Sequence, residues 1–127
     1  TGLTFAVIAN TSYAFKCYVV FRSAQTATGF RFAMNGPGSS TVDYFMTYQT
    51  VANATTVGVA TWLQGHWVTY DAMAATTAAI AANADLVAMI EGRVLVGGTA
   101  GTMAVRVASE AANNDLTVRQ GSWCYYF

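Results

Sequence analysis

The stretch AMIEGRVLV, residues 88–96, is apolar except for two opposite charges, Glu91 and Arg93, set two positions apart. Successive side chains of a β-strand point to opposite faces, so residues two apart share a face. A helix instead brings together residues three or four apart. Read as a strand, the stretch puts Ile90, Gly92, Val94 and Val96 on one face and Met89, Glu91, Arg93 and Leu95 on the other. The charged face points away from the core, and the β-branched valines favour the extended conformation.

The same period runs outward in both directions. Tyr13, Phe15, Cys17, Val19 and Phe21 alternate with Lys16, Tyr18, Val20 and Arg22. Phe30, Phe32 and Met34 stand opposite Arg31 and Ala33, and Met103, Val105 and Val107 opposite Arg106 and Glu110. Leu116 and Val118 continue the pattern against Thr117 and Arg119. In residues 42–49, Val42, Tyr44, Met46 and Tyr48 alternate with Asp43, Phe45 and Thr47, and the aromatics on both faces predict a strand covered on both sides. Turn chemistry falls between these runs, at 9–12, 25–29, 35–38, 97–101 and 113–115, each rich in Gly, Asn, Thr or Pro. The Ala-rich run 72–84 favours helix by propensity. It has no amphipathic stripe, and Thr76-Thr77 interrupts it. It reads as a loosely packed strand and turn, with a short helix as the alternative. About eight strands at this spacing predict an all-β sandwich or barrel, with enough strands for two packed sheets, in one domain spanning residues 1–127.

Composition narrows the function classes. Charged residues make up 9% of the 127, against about 25% in an average soluble domain. The surface is therefore neutral polar, or partly buried against other subunits. Six basic and six acidic residues cancel, and no Lys/Arg cluster marks a nucleic-acid groove or a membrane-binding helix. No apolar run reaches the roughly 18 residues of a bilayer span. The chain starts at Thr1 without a signal-peptide pattern, as a processed chain or a piece of a longer one would. Cys17 and Cys124 could pair, but two are too few for a disulfide scaffold and they read rather as free, buried thiols on strands. Asn10-Thr11-Ser12 and Asn53-Ala54-Thr55 match the glycosylation sequon, a match that chance readily supplies in a chain rich in Asn and Thr.

No catalytic, cofactor or metal site is visible. His66 is the single histidine, whereas a His-based metal site needs several ligands and a triad needs a partnered nucleophile. Gly36-Pro37-Gly38 is too short for a phosphate loop, and the six carboxylates are scattered. Aromatics are the remaining signal, since large rings dominate the energetics of interfaces. The candidate subunit or partner interface comprises Tyr44, Tyr48, Trp62, Trp67, Tyr70, Trp123, Tyr125 and Phe127. Strand alternation puts Trp62 with His66 and Val68 on one face and Trp67 on the other, so the two indoles do not form one platform.

In order and spacing, the chain resembles a β-sandwich module found in structural proteins of tailed bacteriophages. The resemblance begins at Leu3-Thr4-Phe5-Ala6-Val7 and Ala9-Asn10-Thr11-Ser12-Tyr13-Ala14-Phe15 and runs through Phe21-Arg22-Ser23-Ala24 and Phe32-Ala33-Met34-Asn35-Gly36-Pro37. It is clearest in Ala82-Asn83-Ala84-Asp85, Ile90-Glu91-Gly92, Ala104-Val105-Arg106-Val107-Ala108-Ser109-Glu110 and Leu116-Thr117-Val118-Arg119-Gln120-Gly121-Ser122-Trp123. Residues 51–80 match least. The resemblance implies a jelly-roll-like antiparallel sandwich, non-enzymatic, without cofactor, homotrimeric, and exposed on the virion. Its partners would be further copies of itself and the major capsid protein or other virion proteins. The role implied first is capsid decoration, or cement. The alternative is a tail-fibre or spike module that binds a host-surface receptor or glycan. Arg31, Arg93, Arg106 and Arg119 are expected on outward faces, pairing with Glu91 and Glu110 within or between subunits.

Overall fold

A computed structural model of the chain describes residues 2–25, 29–50, 62–75, 81–109 and 116–127. Glu110, the turn at 113–115, Thr76-Thr77 and the sequon at Asn53 lie outside these residues. The described chain is all-β. Its strands are β1 (Thr4–Val7), β2 (Ser12–Ser23), β3 (Phe30–Asn35), β4 (Thr41–Gln49), β5 (Trp62–Trp67), β6 (Ala74–Ala75), β7 (Leu86–Leu95), β8 (Gly101–Ser109), β9 (Leu116–Val118) and β10 (Trp123–Tyr126). The described residues form ten strands, β6 and β9 being only two and three residues long, against about eight expected from periodicity. Among its described residues, the Ala-rich segment contributes the two-residue β6 and an isolated bridge from Ala82 to Ser23.

The pairing is that of one long hairpin rolled up. β1 pairs with β8, β2 with β7, β3 with β6 and β4 with β5, every pair antiparallel. The ladders β3–β8 and β4–β7 then join these pairs into two sheets, β1-β8-β3-β6 and β10-β2-β7-β4-β5. This strand order is a jelly roll, the double-sheet solution to exposed sheet edges. Two further strands, β9 and β10, lie end to end along the free edge of β2.

The core lies between the sheets and is built from the faces that alternation assigned inward. From β2 come Phe15, Cys17, Val19 and Phe21, from β7 Leu86, Ala88, Ile90 and Val94, and from β4 Val42, Tyr44, Met46 and Tyr48. Phe30, Phe32, Met34 and Met103 answer from the opposite sheet. Phe21, Phe30 and Phe32 meet with centroids 4.4–5.2 Å apart in tilted and edge-to-face contacts. Such pairs add about 0.5–1.5 kcal/mol each beyond their area burial. Gly92 sits on this inner face because Tyr44 passes directly over it. A Cβ there would run into the Asp43 carbonyl and the Tyr44 backbone.

The structure corrects two expectations. β4 is covered on one side only: Tyr44 and Tyr48 are buried while Phe45, on the opposite face, is exposed. Cys17 and Cys124 are also not free. They form a disulfide across a sequence separation of 107 residues. The register of β10 on β2 places Cys124 directly opposite Cys17. The Cys124 N–H donates to the Gly2 carbonyl at 2.6 Å, away from β2. The two cysteines therefore face each other at a non-hydrogen-bonded site, where side chains of paired strands come closest. Their Cα atoms are 4.0 Å apart.

Candidate interaction surface

Every residue on the outer face of the six-stranded sheet is placed by the strand registers. One row across it reads Tyr125, Lys16, Glu91, Phe45, His66, and the next reads Trp123, Tyr18, Met89, Thr47, Gln64. Large apolar side chains stay exposed over this face: Phe45 at 38%, Trp62 at 43%, Trp123 at 44%, Tyr125 at 61% and Phe127 at 72%, with Val68 and Leu95 beside them. Single exposed apolar residues are ordinary, but several large rings on one face make it a candidate contact surface.

β10 holds its share of these rings by three local devices. The disulfide ties it to the middle of β2. Trp123 stacks on Tyr18 with centroids 5.9 Å apart and planes 13° apart. The join to β9 is a bulge: Val118 faces Phe21 and Trp123 faces Tyr18, so residues 119–122 stand opposite only Val19 and Val20. Ser122 repairs the ladder there. Its Oγ accepts the Val20 N–H at 2.9 Å and donates to the Arg119 carbonyl at 2.9 Å, while the Arg119 N–H donates to the Val20 carbonyl at 2.8 Å. Gly121 takes φ +93°, a conformation that side chains resist.

The charges on this face are paired within the chain. Lys16 Nζ lies 3.2 Å from Glu91 Oε2. Asp43 bridges two partners, His66 Nε2 at 2.6 Å and Arg93 at 3.3 Å. The hydrogen bond from His66, with Arg93 beside it, holds the Asp43 carboxyl below its usual range. A shallow depression of about 310 Å³ opens next to this cluster, lined by Ser12, Thr41, Asp43, Val68, Arg93 and Leu95. Among the described residues no hydroxyl or thiol side chain is hydrogen-bonded to His66. The contact with Asp43 therefore orients the imidazole without assembling a nucleophile–base pair. Among the described residues Arg93 takes Asp43, Arg106 takes Asp71, and Arg119 shares Asp85 with Arg22, while Glu91 pairs with Lys16; the expected partner Glu110 lies outside the described residues.

The eight candidate interface aromatics divide. Trp62, Trp123, Tyr125 and Phe127 are exposed on or beside the outer face. Tyr44 and Tyr48 face the interior and are closed to a partner, because β4 turns its even positions toward the opposite sheet. Burial pushes both phenols up from their ordinary pKa. The Tyr44 hydroxyl accepts the Met34 N–H and donates to the Thr69 carbonyl, both at 3.4 Å. Trp67 is half-buried, stacked on Tyr44 at 5.9 Å, with its indole in the space that Gly65 leaves. Tyr70 is half-buried against Met103. Sequence reading missed Phe45, Tyr18 and Leu95 as members of the surface. Their outward parity was visible, but the rows they form depend on the pairing of distant strands.

Comparison with protein-family models, with curated proteins and with solved structures returns no match.

Proposed function

We propose that the chain is a non-enzymatic structural protein of a tailed-bacteriophage virion, a decoration protein that docks on the capsid exterior and stabilises the lattice. The observation that carries this reading is the outer face of the six-stranded sheet, which is rich in exposed rings on a chain with few charges. Repeated weak contacts of such a surface over a symmetric lattice gain strength by avidity. The jelly roll suits the reading, since viral capsid domains use it, although a fold alone assigns no function. The disulfide suits it too, because such bonds persist in oxidising settings that include virion surfaces. The test is to add purified chain to heads that lack it. A raised head melting temperature is expected, and saturable binding with it. Heads that neither bind the chain nor gain stability would reject the role.

A receptor-binding tail module is the second reading, favoured by one patch. Exposed Trp62 stands opposite Gln49, with Gln64 and His66 further along the same outward face of β5. A ring flanked by amide and imidazole groups suits a sugar. Loss of cell binding on Trp62→Ala, with binding to heads unchanged, would move the assignment to the tail.

A further inference from the structure

We infer that the Cys17–Cys124 disulfide is a redox latch: reduction releases β10 alone from the edge of the six-stranded sheet, and oxidation clamps it back. β10 is the outermost strand in the sheet order and pairs with β2 through residues 123–126. Among the described residues, it contributes none of the fully buried core. Trp123, Tyr125 and Phe127 are exposed, and Tyr126 is exposed as well, although its ring stacks on Phe5 with centroids 4.5 Å apart. Three hydrogen-bonded pairs hold the backbone. Ala14 and Phe127 exchange both bonds at 3.0 Å. Such pairs alternate along an antiparallel ladder, so Lys16–Tyr125 and Tyr18–Trp123 are the other two, with the cysteines at the site between them. An edge strand with so little burial belongs to the low-stability end of a fold, and the covalent bond is what fixes it in place. β2 does not depend on β10 in the same way. Its other edge pairs with β7 from Ser12–Leu95 to Phe21–Leu86, and Phe15, Cys17, Val19 and Phe21 are buried between the sheets.

The step is thiol–disulfide exchange. Cys17 is fully buried and Cys124 only partly, so an external thiolate reaches the Cys124 sulfur. A bond forms between those two sulfurs, the Cys17–Cys124 bond breaks, and Cys17 leaves as a thiolate that takes up a proton. The second thiol of a small dithiol then displaces Cys124 in the same way. One protein disulfide and one dithiol become two protein thiols and one cyclic disulfide. A small-molecule disulfide drives the reverse, leaving as two thiols. Opening withdraws Trp123, Tyr125 and Phe127 from the contact face, so the face is complete only where disulfides persist. That consequence rests on the decoration reading, whereas the latch itself rests on the fold.

The experiment is residue-resolved hydrogen exchange by NMR on the intact chain, oxidised and then reduced with dithiothreitol. In β2 the N–H groups of Ala14, Lys16 and Tyr18 point to β10, and those of Phe15, Cys17 and Val19 point to β7. On reduction, protection at the first three is expected to fall to within about 10-fold of an unstructured chain, while the second three stay at least about 100-fold better protected. Oxidised glutathione is expected to restore the first pattern. Cys124→Ser is expected to show the open pattern with or without the dithiol. Unchanged exchange at Ala14, Lys16 and Tyr18 in the reduced chain, or loss of both sets together, would overturn the latch. Binding to heads is measured on both forms. With three exposed rings withdrawn, the reduced form is expected to bind at least about 10-fold more weakly. Equal binding by an open, reduced chain would overturn the latch's control of the contact face. A chain that switches its exchange pattern but ignores heads in both forms would reject the decoration role and leave the latch standing. A chain that binds heads without switching would do the reverse.

Discussion

Removing the disulfide should cost more than any other pair of exchanges in this chain. Cys17 and Cys124 close 107 residues, nearly the whole polypeptide. In the chain-entropy account, cross-linking a loop of that length removes about 16 cal/mol/K from the unfolded ensemble, or about 4.8 kcal/mol at 25 °C. At about 2.1 cal/mol/K per residue, unfolding 127 residues carries an entropy near 270 cal/mol/K, so this loss corresponds to a fall in Tm of about 18 °C. Cys17→Ala/Cys124→Ala is the clean variant, since alanine leaves no buried hydroxyl at Cys17, which is fully buried. Differential scanning calorimetry of wild type and variant, each with and without a phosphine reductant, is the assay. The reductant should lower the wild-type Tm toward that of the variant and leave the variant unmoved. Thiol titration of the denatured wild type should find none. Equal melting temperatures, or two titratable thiols per wild-type chain, would refute the cross-link and the pinned position of β10 that depends on it.

Three further outcomes follow from single sites. Gly92→Ala drives a methyl group into the Asp43 carbonyl and the Tyr44 backbone, so the β4–β7 ladder must spread; a loss of about 3 kcal/mol or more is expected by urea denaturation. Ser122→Ala takes away the acceptor of the Val20 N–H at the β9–β10 bulge and should cost about 1 kcal/mol in the same assay, with faster hydrogen exchange at Val20. Asp43 has a carboxyl held low by His66 and Arg93, so it adds stability that is present above its unfolded pKa and is lost as pH falls through the lower folded value. Melting curves from about pH 2 to 6 should therefore decline more steeply in acid for the wild type than for Asp43→Asn, and parallel curves would remove the role given to that bridge.

What could be read from the sequence was parity. The alternation in 88–96 placed Glu91 and Arg93 outward, and the same rule separated Trp62, His66 and Val68 from Trp67, leaving to the structure which of the two faces is outside. Parity is local, because each side chain's face is set by its own backbone. Partnership is not local. Glu91 and Arg93 share a face, yet each turns to a different strand, Lys16 on β2 and Asp43 on β4. The disulfide escaped for the same reason: it depends on the register of β10 against β2, and nothing within either segment encodes that register. In β4 the aromatics on both faces obscured which one was buried. The decision came from outside the strand, where the Met34 N–H of the opposite sheet and the Thr69 carbonyl of the segment after β5 provide a site for the Tyr44 hydroxyl. For the contact surface, individual rings were legible at Trp62, Trp123, Tyr125 and Phe127. The face they share with Phe45 and Leu95 emerges only once five strands are laid side by side.

The most direct test of the central proposal is immunogold electron microscopy, with an antibody raised against the chain, of the intact tailed-phage virions that the proposal requires to carry it. Gold over the head surface is the expected result. Gold confined to the tail tip or fibres, or absent from intact particles, would contradict a capsid decoration role.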